Sequence, residues 1–161
     1  MLFLHKPNSR TLRAESSQIP SDTMNYTIEI ASSFADFWQY NIAVTCGCFD
    51  ADNRQIGFVP AESTIAPVGS NLDKCPAGTP SHRRLTFTAP DCDHLRMYVY
   101  IIPHTLPTEK QIADCRPFPL TVKVAYAGKP ILHEKRDINR WSGASIELTA
   151  SRASATDADG K

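Results

Sequence analysis

The sequence has no apolar run close to the roughly 20 residues that a bilayer-spanning helix requires. Its first residues, Met1-Leu2-Phe3-Leu4, are apolar, but His5 and Lys6 follow at once. That is short of the roughly 7–15 apolar residues at the heart of a secretory leader. The expectation is a cytoplasmic chain, or a secreted one if a leader has been removed. No charge of either sign is in excess: 17 Lys and Arg face 17 Asp and Glu. Without a net field to hold phosphates, no nucleic acid partner is expected.

Glycine is scarce, at 7 in 161 residues, and the glycines are scattered. No G-x-x-x-x-G-K-[ST] or G-x-G-x-x-G cradle exists, which argues against nucleotide chemistry. The G-x-S-x-G elbow and H-E-x-x-H are also missing; His133-Glu134 starts like the latter, but Arg136 and Asp137 break it. Cysteine is sparse. Five thiols, at 46, 48, 75, 92 and 115, are too few for a disulfide scaffold, and an odd number leaves at least one unpaired. Reduced thiols are the expectation, and the triplet Asn25-Tyr26-Thr27 would accept a glycan only in a secreted protein.

What is present is enough apolar material for a core. Apolar residues make up 42% and charged residues 21%, the balance of a folded chain, and the length suits one domain. The apolar period is two. Tyr26, Ile28 and Ile30 alternate with polar neighbours, as do Ile42, Val44, Cys46 and Cys48. The pattern recurs at Leu85 and Phe87, at Leu95 to Ile101, at Leu120 to Tyr126, and at Ile146 and Leu148. Successive side chains leave opposite faces of a strand, so this is the signature of half-buried sheet. The 95–102 segment is apolar or aromatic on both faces apart from Arg96 and reads as a central strand. Weaker strands, at 55–59 after the Asp50–Arg54 turn and at 131–134 after Gly128-Lys129-Pro130, complete two hairpins.

Helix signals are few. Thr108 to Asp114 reads as two turns, capped by Thr108 and stopped by Pro117, and Ser33 to Phe37 as one more. The sequence therefore predicts an all-β fold: a two-layer antiparallel β-sandwich of about eight strands, with one short helix in a crossover loop. The sandwich should occupy 24–150, between flexible tails at 1–23 and 151–161. The connection from about 60 to 84, rich in proline and glycine, is long enough to suggest function and could hold a short strand at 63–65.

Four groups of residues could carry chemistry. Cys46 and Cys48 share a strand face with Ile42 and Val44, which reads as core packing, with a disulfide or metal pair as alternatives. Asp50, Asp52, Asp91 and Asp93 lie in two acidic turns; they are good turn residues and also candidate calcium ligands. Lys129, Lys135, Arg136 and Arg140 with Trp141 form a basic, aromatic stretch, read as a charged sheet edge or as a contact for anionic groups. Trp141, Tyr98 and Tyr100, with Arg136 and Arg140, are the candidate ligand contacts, and Trp38 reads as buried. His104, just past the central strand, is the candidate base for Cys92 or Cys115 if the chain is an enzyme.

The leading expectation is a non-enzymatic binding or assembly module that engages a protein partner or itself, without a cofactor. The alternatives are a module for carbohydrate or lipid head groups, with or without calcium, and a thiol-dependent or hydrolytic enzyme. A membrane-surface role ranks below these.

Overall fold

The structure, a computed structural model, describes residues 24–109 and 111–156. The expected tail at 1–23 lies outside the described residues, as do residues 157–161. Eight strands follow in order: β1 (Tyr26–Ala31), β2 (Tyr40–Phe49), β3 (Gln55–Ser63), β4 (Arg84–Ala89), β5 (His94–Pro103), β6 (Phe118–Tyr126), β7 (Lys129–Ile138) and β8 (Ala144–Ser151). They form two antiparallel four-stranded sheets, ordered β4-β1-β6-β7 and β3-β2-β5-β8. The all-β two-layer sandwich expected from the alternation is the observed fold.

The period-two residues meet between the sheets. Tyr26, Ile28 and Ile30 of β1, Ile42 to Cys48 of β2, Leu95 to Ile101 of β5 and Leu120 to Val124 of β6 send alternate side chains inward, each at most 2% exposed. Each fully buried aliphatic side chain contributes about 1.5–3 kcal/mol, so the four inner strands hold most of the stabilising area. β5 is a central strand, paired with β2 and β8, but only one of its faces is buried. Arg96, Tyr98 and Tyr100 look outward.

Several local expectations need correction. Where a two-turn helix is expected at 108–114, the described residues hold a single 3-10 turn, Ile112–Asp114. The second expected turn, at 33–37, is present: the Phe37 N–H donates to the Phe34 carbonyl at 3.1 Å, and the turn runs on into a 3-10 segment at Phe37–Gln39. β3 extends through Pro60 to Ser63, because it is an edge strand where a missing N–H breaks no ladder; residues 64 and 65 are not strand. The boundary at 150 is early. β8 includes Ser151, and a short helix α1 (Ala153–Thr156) follows with Ala155 buried against the sandwich. A buried alanine inside a polar stretch has no period to reveal it.

The two ends of the sandwich are unlike. At one, tight turns at 50–54, 90–93 and 127–128 join strands. At the other lie the three long connections, 32–39, 64–83 and 104–117, together with the short one at 139–143.

Candidate functional site

The long connections are tied together by a hydrogen-bond chain centred on His104, which is 1% exposed. Its Nε2–H donates to the Trp38 carbonyl at 2.7 Å, so Nδ1 accepts from the Thr105 hydroxyl at 2.8 Å. Thr105 Oγ1 in turn accepts from the Leu72 N–H at 3.0 Å. Backbone bonds from His104 to Gln39 and from Asn71 to His104 double the tie. Three segments distant in sequence, 32–39, 64–83 and 104–117, are thereby fixed against one another. Both ring nitrogens are spent on these bonds, so His104 positions loops and has no free nitrogen to accept a proton from a nucleophile.

The fourth connection is held separately. Asn139 Oδ1 accepts from the N–H groups of Trp141 and Ser142 at 2.9 and 3.0 Å. Gly143 takes φ +67°, and a Cβ there would sit 1.9 Å from the Ile101 carbonyl oxygen, so only glycine lets this turn lie down on β5. The Tyr40 hydroxyl donates to the Arg140 carbonyl at 2.7 Å. The Arg140 guanidinium pairs with Glu109 at 2.8 Å and covers the Phe34 ring. The Glu109 carboxyl is held below its ordinary range by a hydrogen bond from its own backbone N–H and by Arg140.

These ties frame a cleft of about 490 Å³ walled by Trp38, Gln39, Leu72, Asp73, Thr105 and Trp141. The volume falls within the range of small-molecule sites. Two of its wall residues carry a buried polar atom with no partner among the described residues: the acceptor Gln39 Oε1 and the donor Trp141 Nε1. Gln39 is only 9% exposed. A buried polar group without a bond costs about 1–3 kcal/mol, so two on one cleft mark an under-satisfied wall. Asp73, exposed at the mouth, makes no hydrogen bond or ion pair among the described residues.

The residues singled out from sequence are dispersed. Trp141 lines the cleft and Arg140 stands in the same connection, but half-buried Trp38, expected to be core, is its other indole. Tyr98 and Tyr100 lie on the outer face of β5. Arg136 is on edge strand β7, paired with Glu134 at 2.7 Å. Gln39, Leu72, Asp73 and Thr105 were not legible as site residues; the long loop and His104 were the available signals.

Asp50, Asp52, Asp91 and Asp93 sit at the opposite, tight-turn end, and three of them are engaged there by other groups of the protein. Asp50 Oδ1 accepts from the N–H groups of Asp52 and Arg54. Asp91 accepts from the Tyr126 hydroxyl and pairs with Arg152, and Asp93 contacts His94 Nδ1 at 2.9 Å. Among the described residues, no three His, Cys, Asp or Glu side chains gather as a metal site would require.

Cys46, Cys48 and Cys92 are buried as free thiols; Cys75 is exposed and Cys115 half-buried. Burial, reinforced by neighbouring thiols, pushes Cys46 up to about 12 and Cys92 up to about 11, and burial also raises Cys48. Such thiols are inert packing groups at neutral pH.

No protein-family model matches the sequence, and no curated protein matches it. Two solved structures are similar in outline. One is a domain of unknown function, DUF4425, from Bacteroides vulgatus ATCC 8482, at 9% identity and a TM-score of 0.45, covering 81% of this chain and 98% of its own. The other is a DUF4425 family protein from Bacteroides ovatus ATCC 8483, at 9% identity and a TM-score of 0.38, covering 79% and 92%.

Proposed function

We propose that the chain is a non-catalytic binding module whose ligand enters the cleft between Trp38 and Trp141. The observation that carries this reading is that two residues lining one cleft, Gln39 and Trp141, each hold a buried polar atom with no partner among the described residues, beside a second indole, Trp38. Both atoms are covered in the free structure, so a ligand gains them only as the Gln39 amide or the indole turns toward the cleft. The nearest histidine has both nitrogens committed, and the buried thiols are held protonated, which supports recognition over turnover.

The test is a two-dimensional amide NMR screen of the full chain against small polar fragments. Shifts are expected to cluster at Trp38, Gln39, Asp73, Thr105 and Trp141, including both indole N–H signals. Shifts nowhere near this end would overturn the reading.

A second reading, contact with a protein partner or a second copy, has its own observation. Ile56 and Phe58 of edge strand β3 are more than half exposed, and Tyr98 and Tyr100 share the same outer sheet face. Exposed apolar side chains beside an unpaired strand edge suit strand addition. Sedimentation and partner capture should both weaken on Phe58→Glu; a strict monomer that captures nothing would sink this reading.

A further inference from the structure

We infer that the cleft takes a neutral saccharide, through one pyranose ring laid against an indole. The inference rests on the cleft being the binding site and adds the chemical class of its occupant. The wall asks for a ligand that donates to Gln39 Oε1 and also accepts from Trp141 Nε1–H. A hydroxyl does both, and a ring bearing several neighbouring hydroxyls does so without a formal charge. The C–H face of the same ring supplies an apolar surface for Trp38 or Trp141, while Leu72 closes the wall.

The unpaired Asp73 carboxylate at the mouth adds the second half of the argument. A carboxylate accepts from two adjacent hydroxyls at once, as strong charge-assisted bonds. The same charge disfavours anions, and Arg140, the cation of the neighbouring connection, is already committed to Glu109. A quaternary ammonium could lie on the indoles beside Asp73. It offers no acceptor to Trp141 Nε1–H and no donor to Gln39 Oε1, so it leaves the wall unsatisfied. A peptide backbone alone brings one N–H per residue, and a peptide that pairs with Asp73 through a side-chain amide or guanidinium is a competing outcome of the test.

The experiment titrates the full-length chain, isotopically labelled, with the methyl glycosides of glucose, galactose, mannose and N-acetylglucosamine. Glucuronic acid, tetramethylammonium and a glycyl-proline amide run in parallel, and the readouts are the two indole N–H signals and the Gln39 side-chain amide. At least one methyl glycoside is expected to give saturable shifts at these groups and to bind more tightly than the other three probes. Asp73→Asn, on an exposed loop where folding is not at stake, should weaken that binding by about tenfold or more. Trp141→Phe, which keeps a ring and removes the N–H, should weaken it as well. Arg96→Ala, on the outer sheet face, should leave it unchanged. Silence from all four glycosides overturns the inference, and so does tighter binding of tetramethylammonium, glucuronic acid or the peptide amide. If unrelated fragments still shift the indole signals while the sugars do not, the saccharide fails and the cleft stands.

Discussion

Three buried thiols and one buried guanidinium set the chemistry of single residues. Cys46, Cys48 and Cys92 are sealed in the core, while Cys75 and Cys115 reach solvent to different degrees. A thiol reagent at neutral pH is expected to label Cys75 first and Cys115 next, with the other three reacting only after denaturation; prompt labelling of all five would contradict the packing. The pH dependence follows. The folded thiols titrate above the unfolded value of 9.0, near 11 for Cys92 and near 12 for Cys46. Below about pH 9 both states keep their protons and this contribution is intact. As pH rises from 9 toward 11 the unfolded chain loses protons that the folded chain retains, so stability falls. Urea midpoints at pH 8 and 10.5 should show that fall, and Cys92→Ala should reduce it. Arg83 is the complementary case. Burial lowers it to about 10, and its guanidinium bonds the carbonyls of Phe37, Tyr40 and Ser63. Arg83→Met leaves those carbonyls unsatisfied and should cost about 3 kcal/mol by chemical denaturation. The alternation at Ile42 to Cys48 predicted where the first two thiols point. Nothing local marked Arg83, whose role exists only because three segments converge on it.

At the scale of elements, strands were legible and connections were not. A strand is a local period imposed by one buried face, so Tyr26 to Ile30 or Leu120 to Tyr126 declare themselves. The cleft forms where the 32–39, 64–83, 104–117 and 139–143 connections meet, held by bonds such as Leu72 to Thr105, and no period encodes those. The turns make two predictions. Ala127 sits at φ +48° beside Gly128 at φ +79°, the pair of left-handed residues that a tight hairpin demands. An alanine pays for that conformation where asparagine pays less, so Ala127→Asn should raise stability by about 1 kcal/mol. No gain in thermal midpoint would mean that the turn relaxes. Gly143→Ala meets the Ile101 carbonyl and should lower stability by more than about 1 kcal/mol while displacing the Trp141 N–H signal. An unchanged spectrum would show that the turn can move without cost.

For the whole molecule, the expected sandwich was legible because eight segments of one period leave few arrangements, whereas the inequality of its two ends emerged only from connection lengths set in three dimensions. That inequality has a practical corollary. β1 begins, and β8 and α1 finish, beside the tight turns, so the described chain both enters and leaves on the side opposite the cleft. A tag or tether joined through residues flanking either side would hold the molecule by its closed end and turn its open end toward solution. Surface capture through either flank should therefore preserve ligand response equally, whereas chemical coupling through exposed Cys75, carried on the 64–83 connection, should blunt it.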